Sequence, residues 1–160
     1  RREDSTAVIV PDTNLLIYAI NRDAPHHERA RAWLEDLLSG AEPVGLPWLV
    51  LIAFLRLTTH PRIFETPLAT EAALDYVNHW LAQPCARALD PGERHWLILS
   101  QLLRNTGTAG NLTNDAHLAA LAIEHGACLH TADTDFLRFP DLNVHNPITA
   151  PRLQEPGAAY

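Results

Sequence analysis

Apolar positions along the chain fall into short runs and helical stripes that alternate, with no hairpin-type turn between them. Val8, Ile9 and Val10 form a β-branched run that stops at Pro11-Asp12, the pattern of a strand buried on both faces. Asp12-Thr13-Asn14 then offers capping groups for an apolar helix over 15–20. Pro25 opens the next helix in this reading, with Ala30, Trp33, Leu34, Leu37 and Leu38 on one face and Gly40 just past its end. A second strand is expected over 43–46, followed by a very apolar helix from Pro47 to about Thr59. His60-Pro61 closes it, because a residue before proline is pushed out of the helical region. A helix over 70–83 and a strand over 85–89 follow. Asp90-Pro91-Gly92-Glu93 has the order of N-cap, first-turn proline and capping-box glutamate, which starts a helix running to about Arg104. A glycine-containing loop covers 106–110, and Thr113 or Asn114 caps a helix ending at His125-Gly126. Strands are expected over 127–130 and around Val144.

Strands alternating with helices imply an α/β fold with a mostly parallel central sheet, flanked by helices on both faces. No repeat or composition break divides the chain. A single domain is expected over 1–146, with an extended or mobile tail over 147–160, where proline and small residues dominate. Sheets of this kind bind ligands beyond the carboxyl ends of their strands, where the strand order switches. Asp12 and Asp133 both follow strand-like runs and fall under that rule.

Composition changes the picture only slightly. With 160 residues, 47% apolar and 19% charged, the chain has enough material for one ordinary soluble core. The longest apolar stretch, about 46–57, is cut by Arg56 and is too short to cross a membrane. The polar start, Arg1 to Thr6, gives no secretory signal, and with no methionine anywhere Arg1 is not expected to be the natural start. Cys85 and Cys128 lie in apolar stretches without metal-type spacing and read as buried free thiols in a reducing, cytoplasmic setting. The net charge of −7, with all 12 basic residues arginine, weighs mildly against a nucleic-acid partner. Carboxylates gathered at a metal site would inflate that negative count, and Arg22, Arg56, Arg62 and Arg138 can still form a local basic patch.

The acidic residues carry more chemistry. Asp12 ends a buried strand, and Asp133 and Asp135 follow the strand that ends near His130. Asp115 lies in the first turn of a helix, three residues before Leu118 and seven before Ala122, so it shares their core-facing stripe. Taken singly, each aspartate suits a cap or a turn. Together they sit at strand and helix ends expected to meet at one edge of the sheet, where like charges repel unless a cation neutralises them. Oxygen ligands without histidine or cysteine spacing favour a hard ion, Mg²⁺ or Mn²⁺. Such a centre suits phosphodiester hydrolysis.

Three strings bearing these aspartates resemble the acidic motifs of PIN domains, in order: Pro11-Asp12-Thr13-Asn14-Leu15-Leu16, the run from Thr113-Asn114-Asp115-Ala116 to Ala122, and Thr131-Ala132-Asp133-Thr134-Asp135-Phe136. His27-Glu28-Arg29-Ala30-Arg31-Ala32-Trp33-Leu34 and the run from Phe54-Leu55-Arg56 to Arg62 are similar to the actinobacterial branch of VapC toxins, a likeness covering about 8–146. The resemblance implies a PIN-like three-layer fold and a toxin endoribonuclease that cuts RNA, tRNA or rRNA, with Mg²⁺ or Mn²⁺. It implies a homodimer and inhibition by a cognate VapB antitoxin. Residue by residue it puts catalysis and metal binding on Asp12, Asp115 and Asp133, adds Asp135 to the metal ligands, and gives Asn14 a supporting polar role.

One position departs from the pattern: Ala53 stands where PIN domains usually carry a glutamate. Asp135 is expected to compensate in part for the missing ligand. Arg56, three residues on, is expected either to contact substrate phosphate or to form a structural ion pair. A degenerate PIN module that binds RNA or protein without cutting is the alternative that Ala53 raises. An aspartyl-phosphate enzyme is disfavoured, since such folds place a lysine beside the phosphoryl group and this chain has none. The nine histidines read as surface or cap residues, His117 least securely, and the four tryptophans as core.

Overall fold

The computed structural model describes residues 7–107 and 110–149, the side chain of Asn111 apart. The strands are β1 (Ile9–Pro11), β2 (Val44–Pro47), β3 (Ala86–Leu89), β4 (Cys128–His130) and β5 (Asn143–His145). The helices are α1 (Thr13–Ile20), α2 (His27–Ser39), α3 (Trp48–Thr58), α4 (Thr70–Leu81), α5 (His95–Thr106) and α6 (Thr113–Glu124). The strands form one sheet in the order β3-β2-β1-β4-β5, and every pairing is parallel. The expected α/β architecture is therefore present, with six flanking helices among the described residues.

β1 is the central strand and is buried along its whole length, as its unbroken apolar run requires. From it the chain steps outward to β2 and β3, then returns to build β4 and β5 on the other side. The switch in strand order lies between β1 and β4. Their register pairs Ile9 with Cys128, Val10 with Leu129 and Pro11 with His130. Residues 12 and 131 are thus neighbours just past the carboxyl ends of both strands, and the Asp12 amide donates to the His130 carbonyl at 2.9 Å.

Several helix starts differ from expectation, each for a visible reason. α2 begins at His27, because residues 21–27 close successive turns (Ala24 N–H to Asn21 O, His27 N–H to Ala24 O) that leave Pro25 outside the helix. Asp90 does not cap α5, which begins at His95. The carboxylate of Glu124, far along the chain, accepts from the amides of Gly92 and Arg94 at 2.7 and 2.8 Å. A distant acceptor has taken the role assigned to the local box. Neither Thr113 nor Asn114 caps α6, since a 3-10 turn over Gly110–Leu112 runs straight into it. Gly107 ends α5 in the left-handed region, at φ 72°, a conformation glycine adopts without a Cβ clash.

Side-chain placement also brings corrections. Trp80 is core and Trp33 half-buried, but Trp48 and Trp96 are 47% and 73% exposed. α3 buries Val50, Leu51, Phe54 and Thr58, and α5 buries Ile98 and Leu102. Trp48 and Trp96 each precede their buried stripe by two residues, which turns them to the opposite side of the helix. Three histidines are not surface groups. His95 Nε2 and His117 Nδ1 meet at 3.0 Å between α5 and α6, and Trp33 Nε1–H donates to His130 Nδ1 at 3.0 Å. Burial, with His145 alongside, pushes His130 down to about 4, so it stays neutral near pH 7 and serves as an acceptor. Both cysteines are free and half-buried. Ile148 packs into the core, and the expected tail from 150 onward lies outside the described residues.

Candidate functional site

The strand ends at the switch point carry the acidic residues. Asp12 leaves β1 as the N-cap of α1, its Oδ1 accepting from the Thr13 amide at 2.7 Å. Its other oxygen, Oδ2, accepts from the hydroxyl of Thr131 at 2.8 Å. Thr131 follows β4, is 1% exposed, and also accepts from the Asp133 amide at 3.0 Å. One buried hydroxyl thus joins the carboxylate beyond β1 to the backbone of the loop beyond β4. Asp133 in turn caps the 3-10 segment Thr134–Arg138, its Oδ1 accepting from the Asp135 amide at 2.8 Å.

Asp115, half-buried in the first turn of α6, completes the group. One carboxylate oxygen from each of Asp115, Asp133 and Asp135 lies within 4.8 Å of the others. Asp12 belongs to the same electrostatic unit. Burial holds its carboxyl above the usual aspartate value against the pull of Thr131 and Thr13, and the charge of Asp133 adds to the rise. Asp115 is raised first by burial and then by Asp133, Asp12 and Asp135, with Arg138 acting in the opposite sense. At Asp12 and Asp115, where burial and neighbouring carboxylates favour the proton, a cation that can replace it is favoured for the same reason. The donor set is oxygen alone, which fits a hard divalent ion better than a soft one.

The structure therefore brings together Asp12, Asp115, Asp133 and Asp135. Asn14 is exposed on α1 and makes no hydrogen bond to the aspartates among the described residues. Arg56 is exposed on α3 and forms no ion pair among the described residues, so the structural pair considered for it is not seen. Ala53 is half-buried on α3 and offers no ligand atom. Two residues have roles at the centre that the sequence did not show: Thr131, and Arg138, which the sequence offers only as part of a local basic patch. Thr131 was visible only as the polar residue directly after a strand, and a buried hydroxyl there needs partners. Arg138 stands three residues after Asp135, with its Nη2 3.5 Å from Asp135 Oδ1 and its Nε–H donating to the Asp135 carbonyl at 2.8 Å.

With this geometry established, known proteins can be compared. Residues 9–142 match the PIN domain family. The chain is 46% identical over 138 residues to ribonuclease VapC37 of Mycobacterium tuberculosis, covering 86% of this chain and 96% of that protein. It is 45% identical over 141 residues to ribonuclease VapC33 of the same species, covering 88% of this chain and 99% of the relative. Among solved structures, the VapBC2 complex of Rickettsia felis bound to a promoter DNA fragment superposes with a TM-score of 0.65 at 22% identity, covering 87% of this chain and 98% of that one. VapC20 of Mycobacterium tuberculosis, a sarcin–ricin loop cleaving toxin, gives 0.59 at 18% identity over 81% of this chain and 92% of that one. Those two structures show a shared fold. The match over most of the domain, together with relatives well above 40% identity across nearly their whole length, leads to one conclusion: the chain belongs to the PIN-domain family, in its VapC ribonuclease branch.

Proposed function

We propose that this protein is a toxin endoribonuclease that hydrolyses phosphodiester bonds of RNA (tRNA or rRNA) with Mg²⁺ or Mn²⁺ in the cytoplasm, restrained by a cognate VapB antitoxin. The observation that carries this reading is the convergence of four aspartates from three separate chain regions on the switch point of a parallel sheet. Relatives named as ribonucleases support it, and they disfavour the module that binds without cutting.

In this reading Asp12, Asp115, Asp133 and Asp135 would hold the ion. When bound, a divalent ion supplies Lewis-acid polarisation of the phosphodiester and eases deprotonation of water. The rest is the work of this chain's own groups. Thr131 fixes Asp12 Oδ2 and the Asp133 amide with one hydroxyl, so the inner wall keeps its shape when the ion changes. The N-terminal turn of α1 gives Asp12 Oδ1 a backbone donor, and the Asp135 amide does the same for Asp133 Oδ1. Asp115 is left without such a bond among the described residues, and burial and its carboxylate neighbours both disfavour its bare charge.

Two surfaces suit the proposed partners. A groove of about 850 Å³ between α1, α2 and α4 has Leu34, Tyr76 and Trp80 in its lining and both basic (Arg22, Arg31) and acidic (Glu28, Glu35) residues around it, a mixed surface that can seat an amphipathic antitoxin segment. Trp48 and Ile52 on α3, with Trp96 and Leu97 on α5, are exposed apolar groups suited to a homodimer contact. Among the described residues no helix is long and apolar enough to cross a membrane.

The test is incubation of the antitoxin-free protein with total bacterial RNA, with and without Mg²⁺ or Mn²⁺, beside Asp115→Asn. Discrete metal-dependent cuts that vanish in the variant are expected. A folded protein that cuts nothing with either ion overturns the reading in favour of a binding module.

A further inference from the structure

The acidic centre poses an electrostatic problem for its own substrate. RNA brings a phosphate at every nucleotide, and phosphates next to the one being cut must approach four carboxylates. A divalent ion answers for one phosphate only. The neighbouring phosphate needs a cation of the protein's own, presented at the rim and free to bind.

Arg138 meets that need. Phe136 and Phe139, 1% and 2% exposed, anchor the segment on either side, while Asp135 and Arg138 remain at the surface. The Arg138 side chain is 38% exposed, and its Nε–H is used on the Asp135 carbonyl at 2.8 Å, which fixes the guanidinium plane. Its Nη2 stands 3.5 Å from Asp135 Oδ1. That is longer than the 2.7–2.9 Å of a closed charge-assisted bond, so the Nη edge is oriented by Asp135 but not consumed by it. An exposed pair of this kind contributes little to stability. Among the described residues, Arg138 is the cation whose charge is felt at Asp115, which puts the guanidinium within reach of the centre. Arg138 also borders an open hollow of about 340 Å³ with Leu102, Asn105 and Asp141, into which an RNA strand held at Arg138 could extend.

We infer that Arg138 receives the RNA phosphate adjacent to the one that is cut, with Asp135 as the positioning residue that presents it. This rests on the ribonuclease reading above. It also gives Asp135 a second duty besides the metal, distinct from replacing the ligand missing at Ala53.

The experiment uses the full chain and a fluorescein-labelled single-stranded oligoribonucleotide. Anisotropy is followed in Ca²⁺, which takes the same oxygen ligands, across a salt series. Mg²⁺ binding without RNA is followed by calorimetry. Arg138→Gln is expected to weaken RNA binding about tenfold at low salt and to flatten the log–log salt slope by about 0.7, the contribution of one single-strand phosphate contact. Its Mg²⁺ affinity should hold or rise, because a cation has left the rim. Arg138→Lys should recover the slope but not the full affinity, since an ammonium lacks the two-pronged geometry. Wild-type affinity and slope in Arg138→Gln, or an equal loss of Mg²⁺ and RNA binding, would overturn the inference while leaving the ribonuclease reading in place. A wild-type protein that neither binds nor cuts RNA overturns both.

Discussion

The inner and outer walls of the acidic centre are built in different ways. Asp12, on the inner wall, is partly buried and has a donor on each carboxylate oxygen, from Thr13 and from Thr131. Asp135, on the outer wall, has a side chain 57% exposed and faces an exposed cation, Arg138. The inner wall grows from the two strands at the heart of the sheet, and the outer wall from a 3-10 segment beyond β4 that Phe136, with Phe139 just past its end, anchors to the core. The difference teaches where rigidity is needed. In the proposed reading, the carboxylate beyond β1 is held rigidly for the ion, whereas contact with a long polyanion falls to the more exposed groups.

This contrast can be broken most severely at Asp12. Asp12→Asn keeps the size of the side chain but removes a charge from the inner wall and turns one of its two acceptor oxygens into a donor, and metal-dependent RNA cleavage is expected to fall about 10³-fold, several kcal/mol of barrier at 1.4 kcal/mol per factor of ten. Retention of more than a tenth of the wild-type rate would show that Asp12 is a cap and nothing more. Thr131→Val is the next largest: it leaves Asp12 Oδ2 and the Asp133 amide without their shared partner. Loss of about 1–3 kcal/mol in denaturant unfolding and about 10–100-fold in cleavage is expected, with Thr131→Ser recovering most of both. Asp135→Asn, on the outer wall, should weaken Mg²⁺ binding and cleavage only severalfold; calorimetry that finds no change in either would remove it from the ligand set.

The smallest effect sharpens the electrostatic side. The Asp115 carboxyl is raised, so the native state holds its proton more firmly than the unfolded chain does. Stability therefore rises as pH falls through that raised range, and the charge subtracts stability above it. Without divalent ions at pH 7, Asp115→Asn is expected to melt a few degrees higher than wild type, and the gap should close as the buffer is acidified. Saturating Mg²⁺ should reverse the order, because only the wild type then gains from the ion. A variant that melts lower in the absence of metal would contradict the mutual repulsion assigned to these carboxylates.

Much of this was legible in the residues. The β-branched run before Asp12 and the strand-to-aspartate string ending at Asp133 were enough to place both on the same edge, because a parallel sheet collects the carboxyl ends of its strands. What stayed hidden depends on contacts between distant residues. Asp90-Pro91-Gly92-Glu93 spells a local helix start, yet Glu124 captures the free amides and the helix opens later. Local patterning had no means of announcing that competition. The exposed Trp48 and Trp96 show a second limit: an apolar residue near a helix start is compatible with either face until the buried stripe is known. Thr131 and Arg138 belong to a third kind, polar residues whose role appears only when their neighbours have been brought within 3 Å or so of them.

The contact between Asp12 and Thr131 spans 119 residues of sequence. A chain emerging from the ribosome presents its amino-terminal end first. β1 would then be exposed with one of its two partner strands still unmade, and the carboxylates of residues 115, 133 and 135 not yet in place. No partial chain ending before β4 can assemble the cleavage centre, however well its earlier helices fold. For an enzyme that attacks RNA, this wiring delays the hazard: the acidic centre cannot form on the nascent product until β4 and the segment carrying Asp133 and Asp135 have been made.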